Sequence, residues 1–79
     1  MNNIVYHDEK TNTVYIRSDI ILPNTRGMSF RDHCKAYDVA FAMSYDERLK
    51  KYASEDQQTV VRSMIDSHPG CKISEFCHA

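Results

Sequence analysis

Glycine and proline are scarce in this chain, two of each among 79 residues, and that scarcity argues against a long disordered tail, whose composition would be rich in such residues. Long apolar runs are missing too. None approaches the roughly 20 residues that a membrane helix needs, and the opening Met1-Asn2-Asn3-Ile4 lacks the basic and apolar regions of a secretory signal. Cysteine is present but odd in number: Cys34, Cys71 and Cys77 cannot all pair within one chain, which suits a reducing compartment. The expectation is a soluble, cytoplasmic protein with free thiols.

A dominant charge is also absent. The formal net charge is −1, and no third of the chain is a basic patch of the kind that draws a protein to a phosphate backbone. What is there is an ordinary globular composition, 42% hydrophobic and 27% charged. A chain this short builds one core and hides only about 60 to 65% of the surface its unfolded form exposes, so a single domain spanning residues 1–79 is expected.

The pattern along the chain is mixed. Ile4-Val5-Tyr6 and Thr13-Val14-Tyr15-Ile16 are β-type runs separated by the polar connector Asp8–Asn12, which reads as a hairpin. Ile20-Ile21-Leu22, stopped by Pro23, offers a third extended piece at an edge. Three serines then announce helices. Ser29 precedes Asp32, Ser44 precedes Glu47 and Ser54 precedes Gln57 by three residues, the spacing at which a serine oxygen accepts from a free amide of the first turn while the later side chain reaches back. Helices are predicted at about 30–43, 45–53 and 55–67.

Each carries an apolar stripe. Phe30, Cys34, Tyr37 and Phe41 lie on one face of the first helix and are expected to pack on the sheet. Tyr45, Leu49 and Tyr52 repeat the pattern on the second; Val60, Val61, Met64 and Ile65 form the face of the third. The tail from Cys71 alternates apolar and polar residues up to Glu75, which fits a short strand returning to the sheet, with a frayed helical turn as the alternative. The fold class is α+β: an N-terminal β-hairpin, with a third short strand as an option, packed against two or three α-helices.

Residues 52–62, Tyr-Ala-Ser-Glu-Asp-Gln-Gln-Thr-Val-Val-Arg, resemble the helix-turn-helix corner of lactose-repressor-type regulators, which commonly reads Tyr-Ala-Gly-Val-Ser, two variable residues, then Thr-Val-Ser-Arg. That resemblance implies a DNA-binding regulator using residues 45–67, with Gln57, Gln58 and Arg62 facing the major groove. The chain departs from the pattern at Ser54, in place of the corner glycine, at Glu55, in place of a buried valine, and at Asp56, a further carboxylate. Acids in a first helical turn are also what the helix dipole favours in any capped helix, and they repel phosphate.

The remaining chemistry is sparse. His68, Cys71, Cys77 and His78 are of the types zinc prefers, but two residues separate the first pair and five separate the cysteines, without the short paired knuckles of a strong site. No metal or other cofactor is expected. His33–Cys34 and His68–Cys71 lack an oriented base and oxyanion donors, and Asp8 and Glu9 sit in a turn where carboxylates are usually solvated. No catalytic residue is assigned.

Tyrosine is abundant for so small a core: Tyr6, Tyr15, Tyr37, Tyr45 and Tyr52. It combines apolar area with one polar end and is enriched at interfaces. Tyr6, Tyr15, Tyr45 and Tyr52 are therefore the candidate contacts for a protein partner, with a second copy of the chain as one such partner. In brevity, unpaired cysteines and lack of catalytic motifs, the chain resembles the small regulatory or inhibitory proteins that bacteriophages and mobile elements use against host machinery.

Overall fold

The computed structural model describes residues 4–77. It contains β1 (Val5–Asp8), β2 (Thr13–Arg17), a 3-10 helix (Ser18–Ile21), α1 (Phe30–Phe41), α2 (Tyr45–Tyr52), α3 (Glu55–Asp66) and β3 (Lys72–Phe76). β1 and β2 form the expected hairpin, antiparallel, with Val5 opposite Ile16 and Tyr6 opposite Tyr15. Between them the turn closes on Asn12, whose φ of 49° is the left-handed conformation that asparagine tolerates better than most residues.

The alternating tail is indeed a strand. β3 lies on the other side of β2 and parallel to it, Val14 opposite Ile73 and Ile16 opposite Glu75. A parallel neighbour requires the chain to cross over before returning, and the 3-10 helix and all three α-helices occupy that crossover.

The helix starts follow the serines. Ser29 accepts from the Asp32 amide, and Ser44 with Glu47 and Ser54 with Gln57 form reciprocal capping boxes. α2 and α3 carry acids in their first turns, where the helix dipole favours them.

The core sits between one sheet face and the helices that cross it. Val5, Val14 and Ile16 from the sheet, Ile20 and Ile21 from the 3-10 helix, Leu49 from α2 and Val61 from α3 form one buried cluster. Burying each aliphatic side chain contributes about 1.5–3 kcal/mol.

Two expectations are corrected here. Ile20-Ile21-Leu22 is not an edge strand: Ser18–Ile21 winds into a 3-10 helix that turns both isoleucines inward, while Arg17 and Asp19 pair across its start at 2.6 Å. The α1 stripe does not pack on the sheet, because the 3-10 helix, α2 and α3 already fill the helix-bearing face. Ala40 is buried, whereas Phe30 and Phe41 are 83% and 55% exposed. Ala40 and Phe41 point about 100° apart around the axis, so α1 meets the body along the edge of its apolar stripe.

Candidate interaction surface

Strand alternation decides which tyrosines come together. Because Val5, Val14 and Ile16 point into the core, their neighbours Tyr6 and Tyr15 must point to the opposite face. The β2–β3 register puts Ile73 and Glu75 on the core side with Val14 and Ile16, so Phe76 joins the two tyrosines. Tyr6 and Tyr15 stack at 5.1 Å between ring centroids with 18° between planes, and Phe76 lies tilted 5.1 Å from Tyr6. Among the described residues no α-helix packs broadly on this aromatic cluster; α3 lies against the strands from the core side. Tyr6 stays 47% exposed.

The other two tyrosines go elsewhere. Tyr45 packs against the core with its ring 5.1 Å from the Arg48 guanidinium. Tyr52, with Lys51 Nζ 5.7 Å from its ring, borders a wide hollow shared with Leu22, Pro23 and Tyr37. The four candidate contacts thus divide into one pair on the open sheet and two separate positions. Phe76 was not among them, although its signal was available: it shares the parity of Lys72 and Ser74, opposite to Ile73.

Arg48 is the residue that sequence reasoning passed over. It is 3% exposed, donates from Nε to the Ile21 carbonyl at 3.0 Å and from Nη2 to Glu75 Oε2 at 3.0 Å, and lies 5.3 Å from the Phe41 ring centroid. A buried arginine persists only when its charge and donors are met. Here one side chain ties α2 to the 3-10 helix, to β3 and to the end of α1.

The α2–α3 corner has the order of elements that the regulator resemblance implies, but its side chains are engaged inside the molecule. Gln57 Oε1 accepts from the Ser54 amide at 3.0 Å, Gln58 Nε2 donates to the Ala53 carbonyl at 3.2 Å, and Arg62 Nη1 donates to Asp46 Oδ1 at 2.6 Å. The Arg62 hydrogen bond, with help from its charge and that of Lys50, holds the Asp46 carboxyl below its ordinary range. Beside this pair a cleft of about 250 Å³ opens over Leu49, Ile65 and Ile73, with Asp46, Arg62 and Asp66 at its rim. Arg62 Nη2 is buried there without a partner.

The histidines and cysteines do not converge. His68 Nδ1–H donates to the Met64 carbonyl at 2.9 Å, and its ring stacks on His7 at 3.6 Å. His33 Nδ1 meets Thr25 Oγ1 at 2.7 Å. Cys71 packs at the core edge, while Cys77 is exposed and accepts weakly from Ser18 Oγ at 3.8 Å. His78 lies outside the described residues, among which no three histidine, cysteine or acidic side chains gather as a metal site would require. Asp8 takes up turn hydrogen bonds from the Lys10 amide and the Thr11 hydroxyl. Among the described residues no helix is long and apolar enough to cross a membrane.

No family model, no curated protein and no solved structure matches this chain.

Proposed function

We propose that the chain is a non-enzymatic regulatory or inhibitory module that binds a protein partner through the open face of its sheet. The observation that carries this reading is the aromatic cluster of Tyr6, 47% exposed, with Tyr15 and Phe76 half-buried beside it, on a sheet face that no α-helix broadly covers. Clustered aromatic area that is partly open to solvent, with the polar tips of two tyrosines, is the surface chemistry that interface cores favour, and the β1 and β3 edges beside it present backbone groups to which a partner's extended segment could pair. This mode of action suits the phage- and mobile-element-like style of the sequence.

The operator-binding alternative draws less support, since Gln57, Gln58 and Arg62 would each have to leave a bond inside the molecule to reach a base. The test is capture from a host lysate with the wild type and with Tyr6→Asp, followed by native mass measurement. A stoichiometric protein partner held by the wild type and lost by the variant supports the proposal. Retention on duplex DNA at low salt, lost in Arg62→Ala, would replace it with the regulator reading.

A further inference from the structure

α1 is amphipathic, yet the two ends of its stripe are left open to solvent while Cys34 and Tyr37 between them are half-buried. Phe30 is 83% exposed and Phe41 55%, and Arg31, Lys35 and Asp38 form no ion pair with any described residue. The molecule exposes 5537 Å², whereas a compact chain of 9.2 kDa exposes about 4,900 Å², in keeping with its elongated 39 × 24 × 23 Å extents. A specific interface at the lower bound of about 1,200 Å² would take about 600 Å² from each of two copies.

We propose that α1 is the interface of a two-fold dimer, its stripe packed antiparallel against the same stripe of a second copy. The spacing of Phe30, Cys34, Tyr37 and Phe41 is four, three, four, which reads the same in both directions, as a self-complementary contact requires. Phe30 then meets Phe41 of the partner subunit, and Cys34 meets Tyr37 of the partner subunit. Arg31, Lys35 and Asp38 share one flank of the stripe at helical spacing. In the antiparallel arrangement Arg31 faces Asp38 of the partner subunit, an attraction made twice. In a parallel two-fold pair this flank would instead face the opposite flank of the second helix, which carries His33, Ala36 and Ala40, and the attraction would be lost. The aromatic cluster of the open sheet takes no part, so this interface is separate from the partner-binding face proposed above.

The test is sedimentation of the purified full chain from about 1 µM to about 1 mM, the range in which an interface of this size associates. The wild type is expected to pass from monomer to dimer with concentration. Phe30→Glu should stay monomeric with an unchanged circular dichroism spectrum, because that side chain supports no packing in the monomer. Arg31→Asp and Asp38→Arg should each weaken association at least about tenfold, and the double exchange should restore it. A wild type that is monomeric throughout overturns the proposal. So does a dimer that survives Phe30→Glu, or one abolished by Tyr6→Asp alone, which would place self-association on the sheet. Failure of the double exchange to restore the dimer refutes the antiparallel register.

Discussion

Replacing Arg48 by alanine tests the internal anchor of this fold. The change removes a guanidinium that is 3% exposed and leaves two acceptors behind: the Ile21 carbonyl and the Glu75 carboxylate, whose side chain is 28% exposed. An orphaned buried carbonyl costs about 1–3 kcal/mol. Breaking a buried ion pair from one side costs about 3–5 kcal/mol, and the partial hydration of Glu75 reduces that share. Loss of the flanking Phe41 and Tyr45 rings' attraction adds about 1 kcal/mol. With the ion-pair share halved by the hydration of Glu75, these terms sum to about 4–6 kcal/mol, against a global stability of about 4–12 kcal/mol for a chain of this length. In urea, with a slope of about 1 kcal/mol per molar, the unfolding midpoint followed by far-ultraviolet circular dichroism should fall by about 4 M or more, or the variant should be unfolded in buffer. The pair Arg48→Met with Glu75→Leu should recover most of the loss, since no charge is then stranded. A loss below about 1 kcal/mol in Arg48→Ala would refute the anchoring role.

Three further outcomes follow from local features. The Asp46 carboxyl is shifted down by Arg62, so its contribution is present above its unfolded value of about 3.9 and is lost as the pH falls through the lower folded value; acid titration of Asp46→Asn should show a flatter decline in stability below about pH 4, and an unchanged curve would dissociate the pair from stability. Ser54→Ala removes the hydroxyl that accepts from the Gln57 amide and should cost about 1 kcal/mol by urea denaturation, whereas Ser54→Gly should cost only a few tenths. Gly70, at φ +77° with open space where a Cβ would stand, should lose about 1 kcal/mol on replacement by alanine through backbone strain alone, and Gly70→Asn should lose less.

Much of this molecule is local and therefore legible in one dimension. The serine caps act over three residues, so Ser29, Ser44 and Ser54 place the starts of α1, α2 and α3 without any knowledge of packing. Strand alternation acts over two residues, which is why the hairpin and the returning tail could be read. Alternation by itself also sent Tyr6 and Val5 to opposite faces. Alternation likewise set Phe76 opposite to Ile73, but its contact with Tyr6 follows only from the parallel register of β3 on β2, a pairing of residues far apart in the chain. The regulator-like corner shows the reverse case: its elements are present in order, yet the engagement of Arg62 by Asp46, sixteen residues away, depends on how two helices meet.

The sequence alone determined the class of fold, the helix starts and the alternation of neighbouring strand residues to opposite sides, since these follow from hydrogen bonds and side-chain directions among near neighbours. The tertiary structure decided which helices cover the sheet and which charge is buried. Arg48 reads as a surface residue until its partners Ile21 and Glu75, each 27 residues away, close around it. The α1 stripe reads as core until the 3-10 helix, α2 and α3 have occupied the face it would have taken. Burial of a group depends on competition among distant segments for the same limited surface, and no local pattern records the outcome.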